Sequence, residues 1–274
     1  MPYLSPEERA DNVRLSCCIR VRSDMELRIP EEILSLREYQ TRVERVRDLT
    51  YDVREFRLVL VDPHEIPFRA GQYVNFVIPP YGDSPEPVYR AYSMSSPPGA
   101  KAALEFLIRR VPQGIATTFL FDHLREGDPL RINGPYGEFT LRPTDADVVM
   151  IAGSTGIAPI KSILDDMAQA NSPRKVTLFF GVLELRDLFY RDVLLDIQKK
   201  LPNLTFIPAL SRKAPQDNWD GETGLITDVL SRQVPGPSSA EAYLCGSPGM
   251  IDASIRVLHE KGITDDRIFF DKFA

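Results

Sequence analysis

Between residues 148 and 270, short apolar runs alternate with amphipathic stretches, and this constrains the fold more than any other feature of the chain. Val148–Ala152 is the first run; others stand at Val176–Phe180, Leu204–Ala209, Ala242–Cys245 and Arg267–Phe270. A continuously apolar run suits a strand buried on both faces, as strands of parallel sheets are. Between the runs, Lys161–Gln169, Asp187–Lys199 and Met250–Lys261 space their apolar residues as helices do. Strands joined through helices cross over in the right-handed sense, so this half predicts an α/β doubly wound parallel sheet.

Residues 38–142 have a different pattern. Tyr39–Val46, Glu55–Leu60, Tyr73–Ile78, Leu104–Arg109 and Pro129–Ile132 are short and β-rich. Asp62-Pro63, Ala70-Gly71, Pro79-Pro80 and Pro97-Pro-Gly99 punctuate them as turns. That pattern predicts a small antiparallel β-barrel with one helix around Ile115–Leu124. The junction falls near Arg142–Asp145. The expected division is an N-terminal arm (1–37), a barrel (38–142) and an α/β domain (143–274).

The formal charge is −6 with both signs interspersed. No basic stripe points to nucleic acid. No apolar run reaches the roughly 18 residues a membrane helix needs, and the first residues lack the pattern of a signal peptide. The cysteines are three, Cys17, Cys18 and Cys245. A sparse, odd count argues against a disulfide framework and for a reducing, cytoplasmic setting.

Several short motifs carry chemistry. Gly153-Ser154-Thr155-Gly156-Ile-Ala-Pro159 lies at a strand–turn–helix. Glycines there let backbone approach a ligand, and the helix start offers N–H groups to a pyrophosphate. It is a Gly-x-x-Gly, shorter than the full dinucleotide fingerprint, and a structural turn has the same form. Cys245-Gly246-Ser-Pro-Gly249 falls at the same carboxyl edge of the sheet, where open α/β folds bind ligands; a buried cysteine before a turn is the alternative. In Arg90-Ala91-Tyr92-Ser93, strand alternation sets Arg90 and Tyr92 on one face. An arginine there can clamp phosphate and a tyrosine can stack on a planar ring. Gly114-Ile-Ala-Thr117 sits at a helix start, where plain capping is the alternative.

Taken in this order, the motifs resemble the ferredoxin–NADP reductase superfamily, especially bacterial reductases that feed oxygenases. Arg90-x-Tyr92-Ser93 is similar to the family's flavin motif. The resemblance implies that Arg90 meets the flavin phosphates, Tyr92 packs on the ring system and Ser93 lies near its reactive nitrogen. Gly114-x-x-Thr117 resembles a phosphate-binding Gly-x-x-Ser, and Gly134–Phe139 a Gly-Pro-x-Gly-x-Phe element at the domain junction. Gly153–Pro159 resembles the pyridine-nucleotide loop Gly-Gly-Thr-Gly-Ile-Ala-Pro, with Ser154 in place of a glycine. Cys245–Gly249 resembles Cys-Gly-Pro-Pro-Gly, which implies that Cys245 lines the hydride path. Asp271 and Phe273 match a terminal acid and an aromatic that covers the flavin; a final strand with a frayed tail is the alternative for Asp271.

The resemblance implies an NAD(P)H-dependent flavoprotein that uses FAD, with FMN the rival. It would pass single electrons to an iron–sulfur protein or domain, as the reductase component of a multicomponent oxygenase. The expected catalytic residues are Ser93, Cys245 and Asp271. For the nucleotide, Ser211-Arg212 resembles a Ser-Arg pair that grips the 2′-phosphate of NADP. Against it, Glu184 lies just past a strand end, where an acid can meet the ribose of NADH, and Asp217-Asn-Trp219 resembles NADH-using relatives. NADH is the expected preference. Residues from Leu4 to Leu27 resemble the last part of a plant-type ferredoxin domain, with Cys17 in the place of its final cluster ligand. The other ligands of a four-cysteine cluster are absent, so a 2Fe–2S cluster is expected only in a longer parent chain.

Two other functions are compatible with the sequence. Asp24–Ile33 and Asp217–Gly224 resemble the flavin-binding component of the sodium-pumping NADH:quinone reductases, which makes a cytosolic module of a membrane complex the first. A non-catalytic nucleotide-sensing protein is the second, and the intact Arg90-x-Tyr92-Ser93 speaks against it.

Overall fold

A computed structural model describes residues 22–24, 36–236 and 238–273. Cys17 and Cys18, and with them nearly all of the stretch expected to be a ferredoxin remnant, lie outside the described residues.

The first six strands are β1 (Arg37–Asp48), β2 (Val53–Asp62), β3 (Tyr73–Ile78), β4 (Val88–Ser93), β5 (Ala103–Arg109) and β6 (Pro129–Tyr136). All pair antiparallel, in the order β4-β3-β6-β1-β2-β5. A bridge between Met94 and Phe106 joins the two outer strands and closes the barrel. Closure removes the free edges that would otherwise pair with other chains. Inward-facing residues, among them Phe56, Leu58, Phe76, Phe106 and Ile132, make a dry core. The expected helix at Ile115–Leu124 is regular only over α1 (Ile115–Thr118). Beyond it, Leu124 N–H reaches back to the Phe119 carbonyl (3.0 Å). This wider turn buries both Leu120 and Phe121.

The second half contains β7 (Val148–Gly153), α2 (Ile157–Gln169), β8 (Val176–Val182), α3 (Arg191–Lys200), β9 (Leu204–Leu210), β10 (Glu222–Thr223), α4 (Ile226–Gln233), β11 (Glu241–Gly246), α5 (Pro248–Glu260) and β12 (Ile268–Lys272). The strands are parallel in the order β10-β9-β8-β7-β11-β12. The chain winds outward from β7 through β8 and β9, then returns to the other side of β7 with β11. That reversal opens a crevice at the carboxyl ends of β7 and β11, where open α/β sheets take their ligands. Helix α3 begins at Arg191, later than the expected Asp187, because Tyr190 adopts a left-handed backbone (φ 61°). Leu185–Asp187 forms a separate turn capped by Glu184.

Barrel and sheet share one core. Val53, Leu107 and Phe139 pack in the same cluster as Met150, Ile163 and Leu178. Polar contacts pin the joint: Lys161 Nζ donates to the Ser95 carbonyl (3.0 Å) and Ser162 Oγ to that of Ser96 (2.7 Å). Across the same joint the Tyr190 hydroxyl donates to Glu55, a buried carboxylate also paired with Arg45 and Arg47 (2.9 Å each). A buried charge is tolerable only with such partners. The crevice of the sheet is thereby held against the open end of β4. Among the described residues, no helix is long and apolar enough to cross a membrane.

Candidate active site

Three side chains from separate strands meet where the barrel touches the crevice. Cys245 and Asp271 are register partners on β11 and β12, and Ser93 ends β4. Cys245 is fully buried. Burial, then the nearby charge of Asp271, pushes its thiol well above the ordinary value. At neutral pH it is a neutral, buried thiol. Burial also raises the Asp271 carboxyl, while a hydrogen bond from the Ser93 hydroxyl pulls it back. Ser93, Cys245 and Asp271 come from three separate motifs of the sequence, and the fold makes them neighbours.

The crevice continues as a cleft of about 530 Å³ whose lining includes Gly153, Ser154, Thr155, Gly246, Ser211 and Phe273. Its floor is backbone against backbone. A Cβ on Gly246 would lie 3.2 Å from Gly153 N, and one on Gly156 only 2.2 Å from the Cys245 carbonyl oxygen. Ser154, where the family pattern has glycine, sits at φ 50°, a left-handed region that costs an L-residue roughly 1–2 kcal/mol. Phe273 N–H donates to the Gly246 carbonyl (2.9 Å), which ties the chain's last described residue to the cleft.

On the barrel side, Tyr92 is half-buried and meets Phe76 edge-on at 4.8 Å; burial lifts its phenol to about 12. Arg90 is exposed and Ala91 beside it is exposed too. The Arg90 guanidinium donates to the Tyr89 carbonyl (2.8 Å), and it has no acidic partner among the described residues. Thr117 turns inward, its hydroxyl bonded to the Val111 amide (3.2 Å) and carbonyl (3.1 Å), so it shapes the Gly114 turn.

Two family models match the chain: the oxidoreductase FAD-binding domain over residues 40–141 and the oxidoreductase NAD-binding domain over residues 150–255. A component of the Na⁺-translocating NADH-quinone reductase from Neisseria meningitidis is 32% identical over the whole of this chain and 77% of its own length. The chain belongs to the ferredoxin reductase family. Among solved structures, this ferredoxin reductase is similar to the Amycolatopsis cytochrome P450 reductase GcoB (31% identity, TM-score 0.82, covering 98% of this chain and 81% of that one). It is also similar to the ferredoxin reductase of carbazole 1,9a-dioxygenase (29%, TM-score 0.76, 87% and 70%). It is an NAD(P)H flavoprotein oxidoreductase with an antiparallel FAD-binding sheet and a parallel nucleotide-binding sheet.

The residues of this reductase fit both groups chemically. An exposed arginine without an acid partner suits a phosphate, and a half-buried tyrosine suits the edge of a planar ring. The glycine floor and the start of α2 suit a pyrophosphate. Sequence reasoning missed Leu183 and Leu225, exposed leucines that line the cleft, and Arg109, which lines it from the barrel. An apolar side chain left in solvent beside a cleft marks a binding wall, but in sequence both leucines look like ordinary loop residues. Glu184 and Arg212 lie together at the rim.

Proposed function

We propose that this ferredoxin reductase takes hydride from NAD(P)H onto FAD and delivers single electrons to an iron–sulfur protein or domain, as the reductase component of a multicomponent oxygenase. The observation that carries this reading is the meeting of Ser93, Cys245 and Asp271 where the nucleotide cleft opens onto the barrel. FAD, when bound, accepts two electrons together and releases them one at a time. Arg90, Ala91, Tyr92, Ser93, Gly114 and Thr117 would hold it, with Phe273 over it. Gly153, Ser154, Thr155, Gly156, Cys245 and Gly246 would hold the nicotinamide half of the nucleotide. Cys245, neutral and dry, excludes water from the transfer path. Asp271 and Ser93 keep a proton within the site. The names of GcoB and of the carbazole dioxygenase reductase support an oxygenase-type acceptor. The sparse cysteines support a cytoplasmic setting.

A second reading has its own support. The match to the quinone-reductase component spans the whole chain, which favours a flavin module of a membrane NADH:quinone reductase. The test mixes the NADH-reduced protein, without oxygen, with a 2Fe–2S ferredoxin and separately with a quinone. The proposal predicts that two ferredoxins are reduced for each NADH consumed. Reduction of the quinone alone would overturn it in favour of direct two-electron chemistry.

A further inference from the structure

Past Ser93, the last residue of β4, the chain runs Met94-Ser95-Ser96-Pro97-Pro98-Gly99. Ser95 still pairs with β5, its N–H donating to the Glu105 carbonyl (2.7 Å). Pro97 and Pro98 have no N–H, so the ladder cannot continue beyond Ser96. Ser95 and Ser96 are buried, and their carbonyls need other donors. Helix α2 supplies them from consecutive residues, Lys161 Nζ to Ser95 (3.0 Å) and Ser162 Oγ to Ser96 (2.7 Å). Two turns further along α2, Gln169 Oε1 stands 3.1 Å from where a Cβ on Gly99 would lie. The segment therefore follows the helix to its end.

Lys161 is a buried cation, 7% exposed, and lysine is seldom buried without partners. Its ammonium is 3.0 Å from Asp165 Oδ2, one turn along α2, and 3.9 Å from Glu105 Oε2 on β5. It also lies 6.0 Å from the centre of the Tyr190 ring, whose hydroxyl bonds Glu55 of the barrel. Replacing a buried ion pair with apolar side chains of similar volume is often neutral or stabilising. Stability alone therefore does not call for a lysine at this joint.

The tie is close to the site at both ends. Ser95 is two residues past Ser93, about 7 Å of extended chain, and the Ser93 hydroxyl bonds Asp271. Lys161 is five residues past Gly156, about 7.5 Å of helix rise. The turn at Gly153–Gly156 leads directly into α2, so the turn and Lys161 belong to one helix end. Lys161 does not line the nucleotide cleft; it reaches from the helix that starts there to the backbone just beyond Ser93.

We propose that Lys161 is a positioning residue for hydride transfer: with Ser162 it clamps the backbone just past Ser93 to the helix that begins at the nucleotide loop, and so fixes the spacing between nicotinamide and flavin. This rests on the reading of the site as the place where NAD(P)H reduces FAD. Hydride transfer needs its reacting atoms about 3–3.5 Å apart, and a misplacement of about 1 Å costs on the order of 100-fold in rate. The clamp sets that spacing while the cleft holds the nucleotide. Loosening it therefore slows the transfer at saturation and leaves nucleotide affinity nearly unchanged.

The test compares wild type with Lys161→Met, Lys161→Arg and Ser162→Ala. Methionine keeps most of the stem and removes the donor; arginine keeps both charge and donors. Anaerobic stopped flow at increasing NADH separates the saturating rate of flavin reduction from the Kd. Two readouts need no turnover: calorimetry with NAD⁺, and amide hydrogen exchange over residues 94–96. Lys161→Met should lower the saturating rate tenfold or more, keep both nucleotide affinities within threefold and speed exchange over residues 94–96. Lys161→Arg should recover most of the rate. Ser162→Ala should move the same way by a smaller factor, and it decides the matter where Lys161→Met does not fold. A merely structural lysine would lower Tm and leave the saturating rate of the folded protein alone. A rate within twofold of wild type in the folded variants overturns the proposal, as does a loss that falls on nucleotide affinity with the rate kept. If neither nucleotide bleaches the wild-type flavin, the proposed function falls and the positioning role with it; an active wild type beside unaffected variants sinks the positioning role alone.

Discussion

Gly156→Ala should damage nucleotide use while sparing the flavin. A Cβ at this position would lie 2.2 Å from the Cys245 carbonyl oxygen, 2.5 Å from its carbonyl carbon and 2.8 Å from Gly246 N. All three atoms are backbone, so no side chain can rotate away. Ordinary contact begins near 3.4 Å, so the turn after β7 and the end of β11 must part by about 3.4 − 2.2 = 1.2 Å. Overpacking of this kind costs roughly 1–3 kcal/mol, which lowers Tm by roughly 2–12 °C for a chain of this size. A displacement of about 1 Å in a reacting site costs on the order of 100-fold in rate. The expected result is a kcat/KM for NADH down by about that factor, with flavin content unchanged because Arg90, Tyr92 and Gly114 lie in the barrel. Gly249→Ala is the control for stability: no atom stands within 4 Å of its Cβ position, and alanine in a helix gains up to about 1 kcal/mol over glycine. The assay pairs thermal melting with stopped-flow reduction of the flavin. Wild-type melting and wild-type reduction in Gly156→Ala would refute the close approach of the two strand ends and the cleft built on it.

Three further outcomes follow from the same geometry. Arg90→Ala removes the guanidinium assigned to the flavin phosphates; loss of a charged hydrogen bond is worth about 1.5–3 kcal/mol, so flavin should dissociate roughly 10- to 100-fold more readily in dilution and chromatography, and full retention would return Arg90 to the solvated surface. Asp271 has a carboxyl raised by burial, so the folded chain holds its proton more tightly than the unfolded chain, and the stability it contributes at low pH is lost as pH rises through its folded value; Asp271→Asn should therefore melt above wild type at neutral pH, converge with it in acid, and reduce flavin more slowly, and a variant that melts lower at neutral pH contradicts the assignment. Arg174 and Glu241 form a buried pair at 2.7 Å with side chains 5% and 7% exposed; Arg174→Met strands the carboxylate at a cost of about 3–5 kcal/mol, so Tm should fall by roughly 6–20 °C, and a shift under about 2 °C would show that Thr144 and Tyr243 satisfy Glu241 alone.

Much of the fold was legible because it follows from one-dimensional patterns. Val148, Met150 and their neighbours are apolar at every position because β7 is covered on both faces, and the glycines at 153 and 156 mark where the strand must turn sharply into α2. The barrel strands were legible through alternation, as in Phe56, Leu58 and Leu60. Features that depend on distant partners were not visible. Tyr190 takes a left-handed backbone to place its hydroxyl on Glu55, 135 residues away, and this delays the start of α3. Helix α4 is short, and its apolar residues Ile226, Val229 and Leu230 are too few to set a period. Of the residues proposed for the site, Ser93, Cys245 and Asp271 stood out in the sequence through their motifs, whereas Leu183, Leu225 and Arg109 acquire meaning only once the cleft exists. The apparent conflict between Glu184 and Arg212 in the sequence is an ion pair in the fold.

The central claim is that hydride passes from a nucleotide in the cleft to a flavin held by the barrel. The most direct measurement mixes the purified, flavin-loaded protein with NADH in the absence of oxygen and follows the flavin absorbance by stopped flow, for wild type and for Cys245→Ala. The account predicts rapid bleaching of the wild type by one equivalent of NADH, and slower bleaching of Cys245→Ala with nucleotide affinity little changed. A protein that retains no flavin after reconstitution, or whose bound flavin neither NADH nor NADPH bleaches, would contradict it.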